Sequence, residues 1–420
     1  MNKCDFDNPF RPGAGHRPPH LAGREPEMQE FQRLLTQETI LENMILTGLR
    51  GVGKTVLLDA LKPVAIRERW LWIGTDLSES SSVSEETMAI RLMTDLSVVT
   101  SSLVVERSEE LIGFTGKTKL ERTLNFHTLT NIFNNTPGLV ADKLKNVLEI
   151  VWRALSAHGA RGLIFAYDEA QNLADQAQKE QYPLSLLLDV FQSLQRKEMR
   201  FMLVLAGLPT LFPKLVEART YAERMFHVVF LDRLGGEACR EAILKPIEAA
   251  DCPLKLKEKT VRTIIELSGG YPYFVQFVCK EVYDAFIQQL DSGRDVFVPV
   301  EEIVHKLDSD FFAGRWNRAT DRQRELLSII AKLPNCDTEF SVQEVVGMSQ
   351  KEAAEQALAV AAAEEVTGAS AAAAPRPFSA SQVSQMLASL GNAGLVYKNR
   401  HGKYSFAVPL LGQFIARQAA

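Results

Sequence analysis

The chain is predicted to be an α/β protein: a parallel sheet covered by helices, followed by a helical unit and a smaller C-terminal unit of helices and a hairpin. Three observations predict this. Short apolar runs alternate with helical patterns from about residue 40 to 232. A glycine-rich turn ending in Lys-Thr joins the first of those runs to a helix. From Gly235 the strands stop and amphipathic helices take over. Alternation of this kind implies parallel strands joined by right-handed crossovers.

At 420 residues the chain is too long for one ordinary core, so two or three domains are expected. Apolar residues make up 46% and charged residues 24%, with net charge −5, which suits a soluble globular protein and excludes a polycation. Any nucleic-acid contact must then come from a local basic surface. The five cysteines (Cys4, Cys239, Cys252, Cys279, Cys336) are odd in number and show no C-x-x-C spacing, which argues against a disulfide framework and a zinc site. No apolar leader and no run of 18 apolar residues occurs, so a cytoplasmic protein with no membrane partner is expected.

Residues 1–40 form an N-terminal arm. From Asn8-Pro9-Phe10 to Gly23-Arg24-Glu25 it is too rich in Pro and Gly for regular structure, and it reads equally as an ordered arm or a disordered tail before a helix over 28–35. The core spans 41–233. Its strands are predicted at 44–47, 70–74, 162–167, 201–206 and 228–231, each short, apolar and bounded by polar residues, Gly or Pro, as strands buried on both faces are. Leu184, Leu187, Leu188 and Phe191 mark one of the helices between them. The stretch 78–159 exceeds one crossover and is predicted to hold extra helices. A helical lid, 234–318, has segments at 237–249, 258–267, 273–290 and 300–312. The last unit, 319–420, opens with a helix over 321–333. An Ala/Pro-rich insertion at 353–377 follows, its first part a helical extension and its Ala-Pro end a linker. A helix carrying Val383, Met386, Leu387 and Leu390 then precedes a hairpin about Asn399–Gly402. Helix, helix, helix, hairpin is a winged-helix pattern.

The turn reads Gly48-Leu49-Arg50-Gly51-Val52-Gly53-Lys54-Thr55, a complete G-x-x-x-x-G-K-T. Such a loop points backbone N–H groups at phosphate oxygens. The helix that begins near Val56 adds partial positive charge and Lys54 a full one. The Thr55 hydroxyl is a candidate ligand for Mg²⁺. Hydrolysis needs a second site, and Leu163 to Glu169 supplies an apolar strand ending in two acids. Asp168 is the candidate for Mg²⁺ and Glu169 for orienting the attacking water; the alternative is an exposed acidic loop. Arg224, just before the last strand, is a candidate finger inserted into a neighbouring subunit of a homo-oligomer, with Arg219 its competitor.

These residues resemble the AAA+ and STAND superfamily of P-loop ATPases, and within it the bacterial and archaeal ATPases similar to origin-recognition initiators. The resemblance runs from Asn8 to Val408. Leu21 to Met28 resembles the G-R-E-x-E-hydrophobic box, which implies that Gly23 and Arg24 line the adenine and ribose. Gly270-Tyr271-Pro272 resembles the G-x-P motif, which implies that Pro272 brings the lid to the nucleotide. The ligands implied are ATP or ADP with Mg²⁺, and no N-K-x-D guanine-reading pattern is present. Two positions depart from the family. Gly207 stands where a polar sensor ends the fourth strand, leaving Thr210 as the nearest hydroxyl, and Tyr273 stands where initiators carry a lid arginine. Both imply a slow ATP-hydrolysing switch rather than a motor.

From Val366 to Ala420 there is no Asp or Glu, while Arg376, Lys398, Arg400, Lys403 and Arg417 give a local charge of +5. Lys398, Arg400, His401 and Lys403 fall on the wing, where phosphates of double-stranded DNA could sit. The preceding helix exposes Gln382, Ser384, Gln385 and Ser389, with no guanine-reading arginine. Two readings stay open. One is a switch that loads on DNA; the other is a signalling or scaffold ATPase whose winged helix packs on the core or docks a protein partner.

Overall fold

The computed structural model describes residues 7–13, 15–112, 116–250, 255–291, 297–367, 376–400 and 402–419. Cys4, Cys252, His401 and the run 371–374 lie outside them, and of Arg400 only the backbone is described. Cys239, Cys279 and Cys336 are free thiols. Among the described residues no helix is long and apolar enough to cross a membrane.

Five parallel strands form the main sheet: β1 (Asn43–Thr47), β2 (Trp70–Ile73), β5 (Gly162–Tyr167), β6 (Phe201–Gly207) and β7 (Phe226–Phe230), in the spatial order β2-β5-β6-β1-β7. Every residue of β1, β5 and β6 is buried, which is why these strands read as unbroken apolar runs. β7 begins two residues earlier than predicted. It is an edge strand with half-exposed positions such as His227, so its apolar run does not mark its start. β6 stands between β1 and β5, with Thr47 beside Gly207, so the loops leaving β1 and β5 face each other across that glycine.

Helices cover both faces. α1 (Glu25–Leu35) and α2 (Lys54–Arg67) lie on one, with Phe31, Leu34 and Leu57 packed on Met44, Ile164 and Val204. The other face takes α3 (Glu85–Thr100), α4 (Phe126–Asn135), α5 (Val140–Ala157), α6 (Pro183–Gln195), α7 (Leu211–Ala218) and the single turn α8 (Ala222–Met225). The 78–159 stretch therefore supplies a layer of the core: Met88 and Leu92 of α3 and Leu148 of α5 join Phe165 and Phe201. It also holds an antiparallel ladder, β3 (Val104–Ile112) with β4 (Gly116–Thr123), where the sequence predicted only helices.

The helical unit comprises α9 (Gly236–Ala249), α10 (Glu258–Ser268), α11 (Pro272–Asp291), α12 (Val300–Leu307), a π-helical turn Asp308–Phe312 and the short α13 (Ala313–Trp316). The C-terminal unit follows with α14 (Asp321–Ala331), β8 (Phe340–Ser341), α15 (Val342–Thr367), α16 (Ala380–Asn392), the hairpin β9 (Val396–Arg400) and β10 (Lys403–Phe406), and α17 (Leu411–Ala419). β8 completes an antiparallel sheet in the order β8-β10-β9. One hydrophobic core runs through both units and across residue 318: Phe312 stacks on Phe414 at 5.1 Å, and Phe274, Leu326 and Leu390 belong to the same cluster. The arm is ordered and strapped to this core. The Asn8 amide donates to Lys280 O (3.0 Å) and to Asp284 Oδ1 (2.7 Å), and Phe10 is buried edge-on against Tyr283.

Candidate nucleotide site

β1 ends at Thr47 and α2 starts at Lys54. Between them Gly51 (φ +80°) and Gly53 (φ +89°) take left-handed conformations that other residues adopt only at a cost. Gly48 is required for another reason: a Cβ there would stand 2.3 Å from Leu231 O, because the loop lies against the end of β7. Lys54 Nζ donates to Gly48 O (3.0 Å) and Leu49 O (2.8 Å). Burial holds its pKa down to about 8, against the opposing pull of Asp168 and Glu169.

The acids at the end of β5 meet this loop. Asp168 is buried, its Oδ2 accepts a short hydrogen bond from the Thr55 hydroxyl, and its Oδ1 accepts the Glu169 N–H at 2.7 Å. Glu169 is exposed on the cavity wall at φ +51°. Gln171 was not anticipated. Its amide donates to the Glu169 carboxylate, and its Oε1 accepts the Leu208 N–H at 3.0 Å. A Cβ at Gly207 would lie 2.8 Å from that Oε1, so glycine ends β6 because the Gln171 amide fills the space. Gln171 lies in a single 3₁₀ turn, Ala170–Asn172, too short to carry a periodicity that would mark it.

The donor set suits Mg²⁺. Asp59 and Asp76 also face Asp168: burial raises both carboxyls, and the charge of Asp168 raises each further. Crowded acids beside a hydroxyl are oxygen donors of the kind a hard divalent cation takes. Among the described residues no three His, Cys, Asp or Glu side chains converge as a self-contained metal site.

Loop, arm and lid enclose a cavity of about 340 Å³, within the range for small-molecule sites. Arg50 to Val56 form its floor, and Pro12, His16 and Ala22 of the arm form one wall. Pro272, Tyr273 and Gln276 close it from the lid. The lid is fastened to the loop by Tyr273 N–H to Gly51 O, 3.0 Å. Of the two residues that the resemblance puts at the nucleoside, Gly23 needs correction and Arg24 reaches the cavity. Gly23 does not line the cavity; at φ +63° it admits Ala238 of α9, which a Cβ would meet at 2.6 Å. Arg24 lines it, but its guanidinium is spent on Val52 O (3.0 Å), Asp232 O (2.8 Å) and Glu27 (3.2 Å), tying arm, loop and β7 together. Gly48 and Leu49 serve as acceptors for Lys54 and do not line the cavity.

The remaining candidates separate by their partners. Arg219 is committed to Asp189 (2.7 and 2.8 Å), whereas Arg224 is exposed on α8 with no ion pair among the described residues. On the wing, Lys398 is exposed, but Lys403 pairs with Glu344 (3.2 Å) and Asn399 donates to Glu339. Arg417 pairs with Asp308 (2.5 Å). β8 and its flanks thus bring acids to a face that looked purely basic along the chain.

Residues 20–216 match the family model for the AAA ATPase domain, and residues 309–415 match one described as a domain of unknown function. No curated protein matches the chain. Among solved structures, a Walker-type ATPase of Pyrococcus abyssi is similar at 16% identity and TM-score 0.53, covering 95% of this chain and 97% of its own. The ORC2 protein of Aeropyrum pernix, solved in ADPNP–ADP complexes, is similar at 12% identity and TM-score 0.50, covering 97% and 98%. At such identities the likeness is one of fold. Residues 20–216 thus match the AAA ATPase domain, and the chain as a whole has the fold shared by these two proteins.

Proposed function

We propose that the chain is a slow ATP-hydrolysing switch whose C-terminal winged helix packs on the helical lid over the nucleotide site. The observation that carries the reading is the bond from the Thr55 hydroxyl to Asp168, with Lys54 and Glu169 beside the same cavity. The loop N–H groups and Lys54 would hold the β- and γ-phosphates, and Pro272 and the arm would enclose the nucleoside. Thr55 and Asp168 would hold Mg²⁺, which supplies charge neutralisation on the phosphate oxygens when bound. Glu169 would polarise the attacking water. The slow rate follows from Gln171, which occupies a Glu169 oxygen that must be freed for that task. ADPNP and ADP in the similar Aeropyrum protein support an adenine nucleotide here. Glu169→Gln tests this: nucleotide binding is retained while turnover falls about 100-fold or more. Unchanged turnover would remove Glu169 from the mechanism.

The packed winged helix is favoured by the core that lid and C-terminal unit share. DNA binding is the second reading, favoured by Lys398, exposed and without an ion pair among the described residues. It predicts duplex affinity that falls steeply with salt and weakens in Lys398→Ala; salt-independent or absent binding leaves the packed unit as the role.

A further inference from the structure

Two cations on the cavity wall have no acidic partner among the described residues. Arg50, in the middle of the phosphate loop, makes no ion pair, and its Nη1 would lie 3.7 Å from a Cβ on Gly394, so the guanidinium rests against the turn from α16 to β9 in the C-terminal unit. Arg315, on α13, reaches the same cavity. Its only hydrogen bond among the described residues is to Phe311 O (2.6 Å), and it stands over the Phe311 ring, 4.5 Å from the centroid. Phe311 in turn lies against Tyr273, whose N–H is bonded to Gly51 O, which places Arg315 at the phosphate end. Burial lowers the Arg315 pKa, and Arg50 and Arg318 lower it further; Arg50 lowers that of Lys54. Like charges from the phosphate loop and from α13 therefore meet in one cavity, where Glu169 is the one acid among the lining residues and pairs with neither arginine among the described residues.

We propose that Arg50 and Arg315 form a clamp for the terminal phosphate of a bound nucleoside triphosphate, and that this clamp makes docking of the C-terminal unit depend on nucleotide charge. The inference rests on the nucleotide reading above. A diphosphate is held by the loop N–H groups and Lys54 and leaves the clamp unanswered. A triphosphate adds the negative charge that offsets repulsion between Arg50, on the core, and Arg315, on the helical side. Arg50 then stays seated against Gly394.

The test is fluorescence titration of the full chain with labelled ATP and ADP, for wild type, Arg50→Gln, Arg315→Gln, Arg315→Lys and, as a charge-matched control outside the cavity, Arg318→Gln. Hydrogen exchange over Gly391–Val396 is followed in parallel. Wild type is expected to prefer ATP. Arg315→Gln and Arg50→Gln lose about tenfold for ATP and less than threefold for ADP, Arg315→Lys recovers part of the loss, and Arg318→Gln behaves as wild type. ATP, but not ADP, slows exchange over Gly391–Val396, and Arg50→Gln abolishes that difference. Equal losses for both nucleotides, or none, would overturn the clamp while leaving the nucleotide site standing. A wild-type chain that binds neither nucleotide would bring down the site itself and the clamp with it.

Discussion

Lys54 sits on two carbonyls of its own loop, and burial keeps its pKa near 8. A phosphate would replace the carbonyls and raise that pKa, so binding takes up a proton at pH values above about 8. Because the bound-state pKa is the higher one, affinity is complete below pH 8 and falls as pH rises beyond it, up to tenfold per unit. ATP titrations from pH 6 to 10 check this; a flat profile would mean that the ammonium does not touch the phosphates. Gln171 yields a second prediction. Cutting its bond to Glu169 by Gln171→Ala removes a restraint worth about 1 kcal/mol, so kcat should rise about fivefold. A tenfold fall would assign the amide to positioning Glu169 rather than restraining it. Arg24→Ala strips buried acceptors at Val52 O and Asp232 O, and should lower unfolding stability by about 3 kcal/mol in a urea titration.

At the scale of elements, the arm behaves as a strap. Phe10 is buried in the lid core while Pro12 and His16 line the cavity, so Phe10→Ala should cost about 3 kcal/mol of stability and weaken nucleotide binding as well. Denaturation with and without ATP separates the two effects. The central strands were legible in the sequence because β1, β5 and β6 are buried on both faces and need apolar residues throughout. The phosphate loop was legible because its conformation demands glycines at set spacing. β3 and β4 were not legible because Glu106 to Glu110 and Lys117 to Thr123 are almost all polar, with no apolar alternation to mark a strand. Arg315 and Gln171 were not legible because a π-helical turn sets the place of the first and a single 3₁₀ turn holds the second, and Arg315 lies far along the chain from the loop it faces. The charge of the wing was misjudged for the same reason: Glu339 and Glu344 arrive through β8 and its flanks, from outside the window that was counted.

At the scale of the molecule, the site is built from loop, arm, lid and the turn after β5, and its lid shares one core with the C-terminal unit. In the proposed homo-oligomer a neighbour would add one more cation. Arg224 is exposed with no ion pair among the described residues and Arg219 is paired, so Arg224→Ala should reduce turnover at least tenfold at high protein concentration without changing ATP affinity. Arg219→Ala should lower stability instead. Equal turnover of Arg224→Ala and wild type across concentrations would remove the intersubunit role. The cavity over the phosphate loop is proposed to take ATP by its phosphates. Isothermal titration of ATP with Mg²⁺ into the full chain and into Lys54→Ala tests this most directly. The expected result is one saturable site per chain in the wild type and no measurable heat in the variant; a wild type that gives none, or a variant that binds as well, would contradict it.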